Sequence, residues 1–407
     1  MYSIFMGNPD NSYPSSTNPG YINVISPGDC VWQASEVSAQ AIVPINITVR
    51  NLTVNVGTSP GTNRSVQFML RKNGANTGVF VTISGAGSSG FTDSQVSFVA
   101  GDTIDLASTP TNSPIPSASV QWSMLVNSDI VSAQVVTGTG GLPSNSATNW
   151  NQLFGAGPVF WTPESDVNMV MPCAGTFSLM YINSDTAPGG TASYAFTMRK
   201  NGSNTTLTTT MTGLATTAHD LTHSFTVAAG DLVNIQCVPT GTPTSLNNVN
   251  WSMAFTPTTV GNSFFGLSSL NADDPLNTTG VTSWWQSALG YSDVTDVGAE
   301  EMFALIPGNV TLSNFYVSFV TAPGSSKSWT FTIRKNLIST ALTTTITGAA
   351  TTGNATANVT FGLGDLFTII AAPAGTPTYQ GALTMSYTVT FATPGQNNLL
   401  PFLVAGL

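Results

Sequence analysis

The chain has 407 residues, 7% of them charged and 41% hydrophobic, with nine Lys and Arg against nineteen Asp and Glu for a net charge of −10. So few cations exclude a nucleic-acid surface, which needs clustered Lys and Arg to neutralise phosphates, and this apolar fraction excludes general disorder. No apolar run approaches the roughly 18 residues that span a membrane, and with two His and three Cys most catalytic chemistries lack their parts.

The first ten residues, Met1 to Asp10, lack the basic and long apolar regions of a secretory signal, so export by that route is not expected. Residues 1–30 form an N-terminal arm. Its Phe5-Met-Gly, Asn18-Pro-Gly and, just beyond, Trp32-Gln are answered later by Phe265-Gly, Asn277-Thr-Thr-Gly and Trp285-Gln, so the arm can belong to a larger repeat. A first unit follows over 31–130. It holds a strand at Ile45–Val49, a strand and turn at Phe68-Met-Leu-Arg-Lys-Asn-Gly74, a Gly101-Asp102 turn and a closing strand at Trp122-Ser-Met124.

The same order returns twice at a spacing near 130 residues, too long for a solenoid repeat of about 20–50 residues. Over 161–257 it reads Gly175–Leu179, Phe196-Thr-Met-Arg-Lys-Asn-Gly202, Gly230-Asp231 and Trp251-Ser-Met253. Over 298–394 it reads Asn309–Ser313, Phe331-Thr-Ile-Arg-Lys-Asn-Leu337, Gly364-Asp365 and Met385-Ser-Tyr387. Within each unit the apolar period is two: Tyr194, Phe196 and Met198 point one way while Ala195, Thr197 and Arg199 point the other. Asn-Gly after Arg-Lys marks a type I′ hairpin. No stretch inside the units has helical periodicity. These features predict an all-β protein of three tandem β-sandwiches.

Residues 131–160 and 258–297 lie between the units. They carry Phe154, Phe160, Trp161, Phe264, Phe265, Trp284 and Trp285, too many aromatics for a flexible linker. They are expected to be ordered connectors that pack on neighbouring domains or chains. Residues 395–407 form an apolar tail, too short for a membrane anchor.

Ala174-Gly-Thr-Phe-Ser-Leu-Met-Tyr181, then Arg199-Lys-Asn-Gly, then Val227-Ala-Ala-Gly-Asp-Leu-Val-Asn-Ile235 resembles the jelly-roll heads of the complement C1q/tumour-necrosis-factor type, with similar heads in bacteriophage fibres and virion surface proteins. The likeness covers each unit, about three-quarters of the chain. It implies three tandem jelly rolls and a trimeric, receptor-binding assembly. The third unit departs from the pattern with Leu337 at the turn glycine, and the chain has no collagen-like stalk.

His219-Asp-Leu-Thr-His223 is the one cluster with metal-ligand spacing, since positions four apart on a strand share a face. The same parity runs on into Phe225 and Val227, which points the pair inward, so a packing role is expected and no metal. Cys173 and Cys237 are the plausible disulfide pair in an odd set with Cys30, reduced if assembly is cytosolic. Six of the nine cations sit in the three Arg-Lys dipeptides. Two readings of Arg71, Arg199 and Arg334 stay open: pairing with a carboxylate such as the Asp of Gly-Asp, or contact with a neighbouring subunit or an anionic sugar through the guanidinium fork. In the tail, Leu400, Phe402, Leu403 and Val404 are candidate assembly contacts. Asp273-Asp274 and Glu300-Glu301 read as solvated charge rather than a glycosidase pair. No nucleophile motif or phosphate loop occurs, so neither enzyme nor cofactor is expected.

The sequence therefore points to a structural protein of a virion surface, such as a bacteriophage capsid decoration, tail or fibre component assembled in the host cytoplasm. Its partners would be copies of itself or other virion proteins, with a host-surface glycan as a further candidate and with neither nucleic acid nor a membrane span. The alternatives are a microbial surface filament or adhesin subunit, and an array of carbohydrate-binding modules with Trp150 or Trp284 as platforms.

Overall fold

The computed structural model describes residues 2–7, 14–26, 31–115, 120–128, 133–154, 160, 162–269, 276, 278, 283–285, 290–291, 304–306, 308–362, 364–378 and 382–391. The protein is all-β, as its alternating patterns predict. Among the described residues there are 29 strands and two short 3₁₀ turns, Glu36–Ser38 and Glu164–Val167.

The first sandwich opens with β1 (Tyr2–Gly7), β2 (Gly20–Ile22), β3 (Ala41–Ile42), β4 (Ile47–Val56) and β5 (Gly61–Lys72). It continues with β6 (Ala75–Gly85), β7 (Ser89–Phe98), β8 (Thr103–Thr111) and β9 (Val120–Ser128). One sheet has the order β1-β9-β4-β7; the other is β2-β8-β5-β6, with β3 also on β8.

The second comprises β10 (Gln134–Gly141), β11 (Asn149–Asn151), β12 (Met169–Val170), β13 (Gly175–Ser184) and β14 (Ser193–Lys200). After these come β15 (Ser203–Thr212), β16 (Thr217–Val227), β17 (Leu232–Thr240) and β18 (Asn248–Pro257). Its sheets are β10-β18-β13-β16 and β11-β17-β14-β15, with β12 on β17.

The third runs through β19 (Asn262–Ser269), β20 (Ser283–Trp285), β21 (Gly290–Tyr291), β22 (Ala304–Leu305) and β23 (Val310–Phe319). It ends with β24 (Gly324–Lys335), β25 (Ile338–Gly348), β26 (Thr352–Ala355), β27 (Val359–Phe361), β28 (Leu366–Ala374) and β29 (Leu383–Phe391). Its sheets are β21-β19-β29-β23, with β26 and β27 both on β23, and β20-β28-β24-β25, with β22 on β28. The two sheets of each sandwich thus follow one scheme.

Period-two burial builds each core. On β5 the inward residues are Val66, Phe68 and Leu70; on β14 they are Tyr194, Phe196 and Met198; on β24 they are Trp329, Phe331 and Ile333. Each buried side chain of this size contributes about 1.5–3 kcal/mol. The central strands β4, β13 and β23 each carry a bulge, where Asn51, Leu179 and Asn314 take φ of 60°, 56° and 49°. A bulge adds a residue and flips the alternation beyond it.

The stretches set apart by composition as arm and connectors supply strands at the sheet edges: β1 and β2 from residues 1–30, β10 and β11 from 131–160, and β20 and β21, with β19 next to β21, from 258–297. Their Gly, Thr and Asn content looks like a loop, yet the hydrogen bonds come from a long strand already in place, since β1, β10 and β19 lie antiparallel on β9, β18 and β29. Their aromatics are spent inside the chain. Phe154 lies 5.5 Å from Phe264 and 5.8 Å from Phe265, and Phe160 lies 5.9 Å from Trp251. Trp161 and the side chains of Trp284 and Trp285 lie outside the described residues.

The outer faces of β9, β18 and β29 do not meet solvent. On β29, Thr384, Ser386 and Thr388 share a face and donate to the carbonyls of Asn168, Val170 and Pro172 in the second sandwich, at 2.8, 2.5 and 3.2 Å. On β18, Ser252 donates to the Ile42 carbonyl and Asn250 to the Ser38 carbonyl of the first sandwich, the latter at 3.2 Å. β22 of the third sandwich lies against β9 of the first, and the Tyr2 and Phe391 rings are 5.9 Å apart. Each sandwich therefore touches both others, and the chain closes into a ring of three.

Candidate functional site

The Arg-Lys-Asn turns hold most of the chain's cations. Asn73 and Gly74, Asn201 and Gly202, and Asn336 and Leu337 all have positive φ, as a type I′ turn requires. Adjacent residues on a strand point to opposite faces, so the Arg and Lys of one pair cannot share a partner. The Lys takes the Asp of the Gly-Asp turn: Lys72–Asp102 is 2.9 Å, Lys200–Asp231 3.0 Å and Lys335–Asp365 2.8 Å. The Asn side chain completes the lock. Asn73 donates to Asp102 at 2.7 Å and accepts from the Thr103 N–H at 2.8 Å, and Asn201 and Asn336 do the same in their own units.

Burial raises the pKa of Asp102, Asp231 and Asp365, but bonds from the neighbouring Asn, Lys and backbone N–H groups outweigh it and hold each carboxyl below its ordinary value.

The pairing of Arg with the Asp of Gly-Asp is therefore corrected: it is the Lys that meets that carboxylate. Arg71 instead grips Glu36 through Nε and Nη2 at 2.8 and 2.9 Å, and Arg199 grips Glu164 at 2.9 Å twice. Both glutamates sit 35 residues upstream in the 3₁₀ turns. Nη1 of each Arg goes to Asn76 or Asn204 across the hairpin. With side-chain exposures of 14% and 13%, a neighbouring subunit or an anionic sugar would have to displace a bidentate carboxylate to reach these forks. Arg334 donates to Ser339 at 3.2 Å and to the Leu337 carbonyl. Leu400, Phe402, Leu403 and Val404 lie outside the described residues, as do Asp273, Asp274, Glu300, Glu301 and Cys30.

His219 and His223 do not point inward. A register shift between β13 and β16, four residues from Asp220 to Ser224 against two from Ser178 to Met180, flips the alternation of β16, so Asp220 is buried while both His are exposed. His219 lies beside Tyr181 and His223 bonds Asp220 at 3.0 Å. Burial alone would raise Asp220, but the N–H groups of Thr222, His223 and Thr208 bring it down to about 2. No cluster of three or more His, Cys, Asp or Glu able to hold a metal occurs among the described residues. Cys173 and Cys237 are free and buried, and burial pushes Cys173 up to about 12 and Cys237 well above its ordinary value. Trp150 on β11 is half-buried and its indole nitrogen meets no acceptor. No helix among the described residues is long and apolar enough to cross a membrane.

One group escaped the sequence reading. Asp105 on β8 is fully buried, opposite Arg71, and neither carboxyl oxygen meets a hydrogen-bond donor. Burial first, and then the charge of Glu36, raise it to about 8 despite the opposing pull of Arg71 and, more weakly, of the Gln40 side chain. The corresponding position of the second sandwich, opposite Arg199, is Asn234. Its amide donates to Glu164 at 3.1 Å and to Asn168 at 2.7 Å.

No family model matches the chain, and no curated protein matches it. Among solved structures it is similar to a chain in the structure of infectious bursal disease virus Gt strain, at 11% identity and a TM-score of 0.14, over 98% of this chain and 83% of that one. A likeness at that score carries no argument about fold or role.

Proposed function

We propose that the chain is a non-enzymatic structural protein of a virion surface, a bacteriophage capsid decoration, tail or fibre component built from three jelly rolls. The observation that carries this reading is the closed ring. Three sandwiches of one strand scheme interlock through hydroxyl-to-carbonyl bonds such as Ser386 to Val170, and the Arg-Lys-Asn turns spend their charge on internal locks. The resemblance to C1q/tumour-necrosis-factor heads implies trimers. Here one chain supplies all three lobes, so attachment to further virion proteins need not begin with trimerisation.

The test is to tag the gene in its native genome, induce particle production and band the released particles by density. The chain should travel with nuclease-protected nucleic acid in one band. Recovery on cell-surface filaments, or free of particles, would favour the adhesin reading instead.

A further inference from the structure

The joint between the first and second sandwiches contains a buried carboxyl that the second-to-third joint replaces with an amide. The segment from Glu36 to Ile42 forms this joint. Ser38 Oγ donates to Asp185 at 2.8 Å, its carbonyl accepts from Asn250, and the Gln40 carbonyl accepts from Asn183 at 2.8 Å. The Ile42 carbonyl takes the Ser252 hydroxyl. Two ties fasten the segment to its own sandwich: the Arg71–Glu36 pair, and the pairing of β3 with Ile104 and Thr103 on β8. Asp105 is the next residue along β8 and stands beneath both.

In the second sandwich Asn234 fills this place and gives its two protons to Glu164 and Asn168. In the first, the corresponding groups are Glu36 and Gln40. A carboxyl can do the amide's work toward Glu36 only while it carries a proton; ionised, it is acceptor-only and sets a second buried negative charge against Glu36. The charged and titratable groups facing Asp105 are Glu36 from the 3₁₀ turn and Arg71 from β5, with Tyr21 of β2 on the far side of Arg71. Lys72 is committed to Asp102.

We propose that Asp105 is a proton-dependent latch on this joint: protonated, it ties down the Glu36–Ile42 segment on which the second sandwich rests, and deprotonated, it lets that segment lift and the ring open at this one seam. The inference stands whatever the ring is attached to. The sign follows from linkage. Opening exposes Asp105 to water and returns it to the ordinary carboxylate range, so the open form binds fewer protons and gains as pH rises. The gain approaches tenfold per pH unit between the open and closed values and levels off above about 8.

The test is hydrogen exchange on the full chain from pH 5 to 9, corrected for intrinsic exchange chemistry. Protection of segments 36–43 and 249–253 should fall steeply up to pH 8 and then level, while β14 and β17 in the second core hold steady. Asp105→Asn, which copies the second sandwich, should keep the pH 5 protection throughout, and Asp105→Thr, which copies Thr368 of the third, serves if that variant does not fold. A protonated-carboxyl infrared band lost near pH 8 in the native chain and absent from the variant would support the assignment. A flat native profile, a slope that persists without Asp105, or parallel loss in β14 and β17 would overturn it.

Discussion

At the residue scale, the turns show local chemistry under two constraints. Leu337 occupies a left-handed position, φ 68°, that glycine fills in the other two turns at 74° and 76°. A side chain there costs about 1–2 kcal/mol, and Leu337 is 48% exposed, so little packing offsets it. Leu337→Gly should therefore stabilise the protein by about 1 kcal/mol, measured as a higher urea midpoint at unchanged m-value; an unchanged or lower midpoint would show that the side chain contributes contacts instead. The buried thiols follow similar logic. With their pKa values raised by burial, Cys173 and Cys237 should resist a thiol reagent at pH 8 in the folded chain and react on addition of denaturant. Rapid labelling of either without denaturant would contradict the burial.

At the scale of elements, the outer faces of β18 and β29 decide how sandwiches join. On β29 a hydroxyl at every second residue meets every second carbonyl of the neighbouring segment, and on β18 the Ser252 hydroxyl does so beside the Asn250 amide, so Ser252→Ala and Ser386→Ala should each leave a buried carbonyl short of a donor and cost about 1–2 kcal/mol. Ser123, the corresponding residue of β9, is fully buried with its hydroxyl unmet. Ser123→Ala should be neutral or stabilising, and thermal unfolding of the three variants side by side checks the contrast. Equal losses in all three would mean that Ser123 has a partner in solution. The same faces explain why arm and connectors were hard to recognise as strands: Gln134–Gly141 has the composition of a loop, and its hydrogen-bonding partner β18 lies more than a hundred residues away.

At the scale of the whole molecule, one apolar core runs through all three sandwiches, so unfolding should be a single calorimetric transition with equal calorimetric and van't Hoff enthalpies. Three resolved transitions would show that the joints add little. The pH dependence has two opposing parts. Asp102, Asp231 and Asp365, held below their ordinary values, contribute stability that is present above about pH 4 and lost as pH falls through their folded values. Asp105, raised to about 8, works the other way. Its unfolded form ionises first, so stability declines from about pH 4 to 8, by at most about 1.4 kcal/mol per unit. Maximum stability should therefore lie on the acid side of neutrality, and Asp105→Asn should move it toward neutral pH.

The sequence by itself determined the strands inside the three units, the type I′ turns and the threefold recurrence, because each depends on residues within a few positions: alternation, Asn-Gly dihedral preference, the Gly of Gly-Asp. It also placed Tyr194, Phe196 and Met198 in a core through period two alone. The tertiary structure decided what depends on distant neighbours. Strand direction sends Arg71 and Lys72 to opposite faces, but only the folded chain brings Glu36 rather than Asp102 to the arginine. A register shift within β16, between Asp220 and Ser224, turned His219 and His223 from the interior to the surface, a shift that parity counting across β16 could not register. Asp105 looks like any carboxylate in the sequence. Its carboxyl is raised to about 8 because the fold of its own sandwich, with the 36–42 segment laid over β8, removes the water that would otherwise keep it charged.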